Sequence, residues 1–267
     1  MYGKESTIRT MNLSVSIVVY NDFSDVKKAV ASIEEMTPKT ISKKIFIVDN
    51  SDKESGQRDF RKFIEPYPDV KYVSADGNIG FGRGHNLVLN QLDSDYHAIV
   101  NPDIILKEDA FSKLIDFMEK RPDVGMCIPR IETTSGELQA AYRKELTVLD
   151  MVIRMVCPSL FPKRMKDHTL QHMDYSKPFD VPFGQGSFLV IRTPLYQKLG
   201  GFDDDFFLYL EDADLCKRVN AVSKLEYCPY ATVTHKWMQG SHKNIKLLKL
   251  HVQSMIHYFN KWGWKLA

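Results

Sequence analysis

The chain has 267 residues, 43% of them hydrophobic and 26% charged, the proportions of a folded globular protein rather than a collagen-like, coiled-coil or disordered one. Thirty-six Lys+Arg against 34 Asp+Glu leave a net charge of +2, too balanced for a general nucleic-acid footprint, so no nucleic-acid partner is expected. This length suits one domain with a short appendage.

No basic segment followed by an apolar run opens the chain, so no secretory signal is expected. Met11 would serve as a natural start, and 1–12 is expected to be an N-terminal extension foreign to the domain, as 265–267 resembles a vector-derived tail. Residues 15–20 read as a first buried strand, and Ser24 as the N-cap of a helix with apolar Val26, Ala29, Val30 and Ile33, stopped near Pro38. Strands follow at 45–48 and 70–73, then a Gly-rich turn into a helix over 82–92, a fourth strand at 98–100 and a helix over 108–120. Such alternation produces a parallel sheet covered by helices. After 124–129 it stops, and the second half is expected to supply a lid and a partner-binding wall. The greasiest run, 148–161, is cut by Asp150, Arg154 and Pro158 and falls short of the roughly 20 apolar residues that span a bilayer. Cys127, Cys157, Cys216 and Cys228 show no C-x-x-C spacing and read as free thiols of a reducing compartment.

Ligands of open parallel sheets bind beyond the carboxyl ends of the strands, and those ends are polar here: Tyr20-Asn21-Asp22, Asp49-Asn50-Ser51, Asp76-Gly77-Asn78 and Asn101-Pro102-Asp103. Any one of them is ordinary turn chemistry, but four converge on one crevice. Residues 78–86 lie between a strand and a helix, where glycines admit close backbone approach and a diphosphate could sit; the spacing is not that of the dinucleotide fingerprint. Arg83 suits a phosphate there, and equally well a solvated surface. Asp103 is placed to hold Mg²⁺ or Mn²⁺ together with substrate phosphate oxygens, and His235, closing the run 231–234, is a candidate second ligand or a structural histidine. Glu211, Asp212 and Asp214 follow an aromatic stretch at a helix start; they suit the helix dipole, or one of them a general base with a raised pKa.

Taken in order, residues 16–21, 48–51, 78–86, 101–103 and 210–218 resemble glycosyltransferase family 2, most of all its bacterial rhamnosyltransferase-like members, over roughly 13–264. The resemblance implies an α/β GT-A fold with a mainly parallel central sheet and flanking helices, a nucleotide-diphospho-sugar donor, a divalent metal and inversion at the anomeric carbon. It implies that Asp49 contacts the nucleotide base and that Tyr20 and Asn21 line its pocket. Asn78, Gly80, Phe81, Arg83 and Asn86 would form the signature loop near the donor. Asp103 matches the last aspartate of the family's D-x-D metal motif, with Asn101 in the first position and one carboxylate fewer; His235 would complete the metal site. Asp212 matches the catalytic base, with Glu211 and Gly186 on the sugar or acceptor side. The implied reaction moves a sugar, best L-rhamnose from dTDP-rhamnose, to a cell-surface glycan or lipid-linked acceptor. Two rival readings stand beside it. A catalytically silent sugar-nucleotide or glycan-binding module would not need Asp103, Asp212 and His235 together, and a sugar-1-phosphate nucleotidyltransferase would carry a Gly-rich loop with Arg and Lys after its first strand, which this chain lacks.

The expected division is a domain over 13–236 and a basic amphipathic helical segment over 237–267. From Lys236 onward there are six lysines and no acidic residue, so this stretch carries +6 and the rest −4. Ile245, Leu248, Val252, Ile256 and Phe259 recur at helical spacing before Trp262 and Trp264, which suits peripheral attachment to the cytoplasmic face of an anionic membrane, or equally a helix packed on the domain.

Overall fold

The computed structural model describes residues 11–52, 56–236 and 245–267. Strands β1 (Met11–Val19), β2 (Ile41–Asp49), β3 (Val70–Ser74) and β4 (Tyr96–Val100) lie parallel in the order β3-β2-β1-β4. The three inner ones are covered on both faces, which is why they are written in unbroken apolar runs: Val15, Ile17, Ile45, Phe46, Ile47, Val48, Ala98 and Ile99 are all inaccessible to solvent. Met11 and Asn12 already pair with Ile41 and Ser42, so the domain starts before the expected boundary at 13. Residues 1–10 and 237–244 lie outside the described residues.

Helix α1 (Ser24–Met36) buries Val26, Ala29, Val30 and Ile33 as its spacing requires. Ser24 is not its cap but its first residue: Phe23 holds the cap position without a side-chain bond, and Asp22 Oδ1, two residues before Ser24, accepts the Ser24 N–H at 2.8 Å. Helix α2 (Gln57–Ile64) escaped the sequence reading because it buries a single residue, Phe60. Helix α3 (Phe81–Asn86) is shorter than 82–92 and passes into a 3₁₀ turn at Leu89–Gln91. A short β5 (Ile104–Leu106) follows Asn101-Pro102-Asp103, and α4 (Ala110–Glu119) is capped by Asp109, which accepts from Ser112 N at 3.0 Å.

The second half adds β6 (Val124–Glu132), β7 (Tyr142–Arg143), α5 (Val148–Val156), α6 (Pro162–His168), β8 (Phe179–Asp180), β9 (Phe183–Gly184), β10 (Phe188–Arg192), α7 (Thr193–Lys198), α8 (Glu211–Asn220), β11 (Lys224–His235) and α9 (Ile245–Trp262). The large sheet continues from β4 as β10-β6-β11-β5, with β8 also on β11. Strand β10 is antiparallel to both neighbours, whereas β11 is parallel to β6 and antiparallel to β5 and β8. The result is a mixed α/β sheet with a parallel first half; β7 and β9 form a separate two-stranded sheet. All four cysteines are free.

Helix α9 docks on the domain, burying His251, Ser254, Tyr258 and Phe259. Its outer face leaves Ile245, Leu248 and Ile256 exposed. The tail beyond it accepts hydrogen bonds from the first turn of α5, Val148 N to Lys265 O at 2.9 Å and Leu149 N to Leu266 O at 3.1 Å. No helix among the described residues is long and apolar enough to cross a membrane.

Candidate functional site

The strand ends meet as the parallel register demands. Val19 at the end of β1 sits opposite Asp49 at the end of β2, which in turn sits opposite Ser74 of β3. Asp49 is buried and both its oxygens are engaged, Oδ1 by the Ser51 N–H at 2.9 Å and Oδ2 by the Tyr72 hydroxyl. Burial and this bond push the Tyr72 hydroxyl up to about 12, so it remains a donor that fixes the carboxylate. Tyr20 lies half exposed beside it, its hydroxyl donating to Asp52 Oδ2 at 2.6 Å. Asn21 takes a left-handed φ of 60°, and its buried Oδ1 has no partner, leaving one acceptor available to a ligand.

The signature loop is held by its own residues. Asn78 Oδ1 accepts from Gly80 N at 3.1 Å, Asn50 Nδ2 donates to Gly80 O at 2.7 Å, and Phe81 N donates to Phe207 O at 3.1 Å. Gly80 has φ +97°, and a Cβ there would lie 2.3 Å from Phe207 O, so only glycine fits. Arg83 is exposed with its Nε bonded to the Asp204 carbonyl at 2.7 Å. Asn86 spends its amide on Phe202 O, Asp204 Oδ1 and Phe202 N, all within 2.9 Å. Phe81 packs edge-on against His85 and Phe202. The contacts of Arg83, Asn86 and Phe81 therefore join the loop to 202–207, the segment that leads into α8.

Asp103 and His235 are far apart in sequence, and the antiparallel pairing of β11 with β5, His235 opposite Ile104, brings them together. His235 Nε2 lies 3.2 Å from Asp103 Oδ1, with Asn101 Nδ2 3.5 Å from the same nitrogen. Gln139 sets the imidazole tautomer. Its Nε2 donates to the His235 carbonyl at 3.0 Å, so its Oε1 is the atom 2.9 Å from His235 Nδ1, and Nδ1 carries the proton. With Nδ1 so engaged, it is Nε2 that faces the Asp103 carboxylate oxygen. Two acceptors at this separation repel unless a proton or a cation lies between them, and a neutral imidazole beside a carboxylate is a donor set that suits a hard divalent ion. The residues fit such a metal. A second group, Asp203, Asp205 and His257, has ligand atoms within 4.8 Å of one another, but the Lys261 ammonium lies 2.5 Å from Asp203 and already supplies its counter-charge.

Across the crevice, Asn101 N donates to Ser187 O at 2.8 Å and Gly186 N donates to Asp212 Oδ2 at 2.9 Å, so the strap Gly186-Ser187 joins the Asp103 and His235 side to Asp212. Gly186 comes close enough that a Cβ would stand 3.0 Å from Asp212 Cβ. Asp212 is presented by two consecutive left-handed residues, Tyr209 at φ 72° and Leu210 at φ 67°. Burial pushes its pKa up, opposed by the N–H groups of Gly186 and Ala213 and by Arg143 and Arg154. Glu211 is more deeply buried, and burial together with the Asp212 charge pushes it well above the usual carboxylate range; its Oε2 has no partner. Asp212 is thus the member of the pair whose anion the site stabilises.

The sequence-based sites missed Asn50, Tyr72, Gln139, Arg143 and Arg154. Of these, Asn50 stood within the polar end of β2 without a role of its own, and Arg154 showed as a charge interrupting the apolar run 148–161. Asp214, with Glu211 and Asp212 a helix-dipole or base candidate, does not sit exposed at the helix start. It is fully buried instead, 2.7 Å from both Arg218 Nε and Lys261 Nζ and 2.8 Å from Trp262 Nε1.

The sequence profile of Glycosyl transferase family 2 matches residues 14–200, more than half of the chain and all the strand ends described above except that of β11. The chain belongs to glycosyl transferase family 2. Among this family 2 chain's relatives, the N-acetylglucosaminyl-diphospho-decaprenol L-rhamnosyltransferase of Mycobacterium tuberculosis is 24% identical over 237 residues, covering 84% of this chain and 75% of its own. The rhamnosyltransferase WbbL of Escherichia coli K12 is 27% identical over 229 residues, covering 80% and 81%. Two solved structures share the GT-A fold. GalNAc-T7 with UDP, GalNAc and Mn²⁺ has a TM-score of 0.67 at 17% identity over 86% of this chain and 45% of that one. The mannosyltransferase PcManGT of Pyrobaculum calidifontis, with GDP-Man and Mn²⁺, has 0.61 at 15% identity over 94% and 71%.

Proposed function

We propose that this protein is an inverting, metal-dependent glycosyltransferase that moves a sugar, best L-rhamnose from dTDP-rhamnose, to a hydroxyl of a lipid-linked glycan acceptor at the cytoplasmic face of a membrane. The observation that carries the reading is Asp212: a carboxylate raised by burial, held as an anion by two N–H groups, and strapped through Gly186-Ser187 to Asn101 at the Asp103–His235 side. The rhamnosyl donor is supported by the names of the two curated relatives.

Asp49, fixed by Tyr72 and Ser51, would read the nucleotide base, with Tyr20 alongside and the free Asn21 Oδ1 accepting from it or the ribose. Asn78 and Gly80 keep the signature loop in the open shape that admits the donor, and Arg83 and Asn86 tie it to 202–204. Asp103 and His235, with Asn101 beside them, would hold the divalent cation, which supplies charge neutralisation for the departing diphosphate when bound. Asp212 takes the proton of the acceptor hydroxyl as its oxygen attacks the anomeric carbon on the side away from the nucleoside diphosphate, and a single displacement inverts that centre. Glu211, kept protonated, can donate to the acceptor or sugar.

Thermal shift with dTDP, UDP and GDP, each with and without Mn²⁺, tests the donor half. Stabilisation by dTDP that grows with Mn²⁺ and loses that increment in Asp103→Asn is expected. Equal stabilisation with and without metal in ion-free protein would reject the metal assignment, and a preference for another base would reject dTDP-rhamnose. Metal-stimulated hydrolysis of the donor is the outcome a silent binding module cannot give.

A further inference from the structure

We propose that Arg143 and Arg154 form a phosphate cradle on the acceptor side of Asp212, binding the phosphoester of a lipid-linked acceptor whose hydrocarbon lies along the outer face of α5. This assigns the acceptor's charged group and rests on the transfer reading above.

The two arginines come from different elements, and the charges of both act on Asp212. Arg143 is in β7 opposite Phe183 of β9, with Gln185 N donating to Ala141 O at 2.8 Å; the next residue, Gly186, donates to Asp212. Arg154 lies on α5, near enough for its charge, like that of Arg143, to act on Asp212 across more than ion-pair distance. The half-buried arginines elsewhere are paired, Arg121 with Glu226, Arg130 with Glu132, Arg164 with Asp150 and Arg218 with Asp214. Arg143 and Arg154 have no carboxylate within ion-pair distance among the described residues. Arg143 Nε is buried without a hydrogen-bond partner, its guanidinium resting over the Phe183 ring at 5.1 Å from the centroid. Burial and the Arg154 charge push the Arg143 pKa down to about 9, the mark of a cation short of counter-charge.

Two cations facing one carboxylate leave a net positive pocket, and guanidinium forks match phosphate oxygens. In a single displacement the base and the leaving group lie on opposite sides of the anomeric carbon. Cations beside the base therefore serve the acceptor and not the departing nucleoside diphosphate. The surroundings specify a lipid ester. Helix α5 turns Leu149, Val152 and Val156, at i, i+3 and i+7, out to solvent, and exposed Leu160 and Phe161 extend the strip. Leu266, also exposed, is joined to its start through the Leu149 N–H to Leu266 O bond at 3.1 Å. Exposed Lys163 and Lys166 border it. An apolar strip on the same helix that carries an inward cation is complementary to an amphiphile with an anionic head.

Calorimetric titration of the full chain with dodecyl diphosphate, below its micellar concentration, tests the cradle without needing the acceptor sugar. Dodecyl diphosphate should bind at least about tenfold more tightly than dodecyl glucoside, and Arg143→Gln or Arg154→Gln should each weaken it about tenfold or more, with Arg154→Lys recovering part. Nucleoside diphosphate affinity with Mn²⁺ should stay within about twofold in all three variants. Equal binding of the charged and uncharged amphiphiles by the unaltered protein overturns the proposal whether or not the variants fold. So does a pH–rate profile displaced in the variants while dodecyl diphosphate affinity is unchanged, because that is the signature of arginines that only tune Asp212. Failure of nucleoside diphosphate to bind would instead contradict the transfer reading and leave the amphiphile result standing on its own.

Discussion

A carboxylate in a half-buried crevice can serve as a base only if it is neither too acidic to accept a proton nor too desolvated to lose one. Asp212 is balanced by burial on one side and two N–H donors and two arginines on the other. Because burial raises its pKa, the acid limb of kcat against pH should lie above the ordinary carboxylate value of about 3.9, and Arg154→Gln should move it higher still. A limb at or below the ordinary value would contradict the balance described. His97 gives a residue-scale effect on stability. It is sealed between Ser14 and Ser16, at 2.7 and 2.9 Å, and burial pushes its pKa down to about 3. Below the unfolded value of about 6.5 the unfolded chain takes up a proton that the native protein refuses, so this contribution to stability falls as pH falls. Replacing His97 by Gln should flatten the decline in stability between pH 6.5 and 5 by up to about 1.4 kcal/mol per unit, measured by urea unfolding at each pH; an unchanged slope would show that His97 is protonated in the native protein.

Legibility followed the same physics. Asp49, Asp103 and Asp212 stood out as candidates because each stands at a strand or helix end, where local sequence fixes position. Gln139, Arg143 and Arg154 were not, because their roles arise from contacts such as β7 on β9 and Gln139 on His235, 96 residues apart, that no local pattern encodes. The three inner strands β2, β1 and β4 were legible from their apolar runs and the edge strand β3 from its β-branched and aromatic residues, whereas two-residue strands such as β7 and β9 carry no periodicity at all.

At the scale of elements, α9 acts as a buttress for the turn that presents Asp212. Ser254 donates to Leu208 O at 2.8 Å, His251 stacks on Tyr209, and Lys261 and Trp262 hold Asp214 of α8. Asp214→Asn leaves Arg218 and Lys261 facing a neutral group in a buried site, and should cost about 3 kcal/mol or more, a fall in Tm on the order of 10 °C by calorimetry. A change below 2 °C would mean that the ion pairs contribute nothing net. Because α9 is built into the domain in this way, the amphipathic pattern in 245–259 has two jobs: Tyr258 and Phe259 pack inward, and only Ile245, Leu248 and Ile256 are free for a membrane.

For the whole molecule, a modest net charge of +2 hides an uneven distribution, with the six lysines from 236 onward on the C-terminal segment and the apolar strip of α5 adjoining the tail. Sedimentation with anionic vesicles at low salt should carry the protein down, less so at 0.5 M salt on screening grounds, and Leu248→Glu combined with Ile256→Glu should reduce it. Recovery wholly in the supernatant at low salt would contradict peripheral attachment. The central claim is narrower: Asp212 accepts the acceptor's proton. It is tested by the rate of sugar transfer from dTDP-rhamnose at saturating donor and acceptor in Asp212→Asn and Glu211→Gln, with nucleotide affinity measured alongside. The account predicts a loss of about 10²–10⁴-fold in Asp212→Asn with nucleotide and Mn²⁺ binding retained, and a smaller loss in Glu211→Gln. Near-normal turnover by Asp212→Asn, or a larger loss in Glu211→Gln, would contradict it.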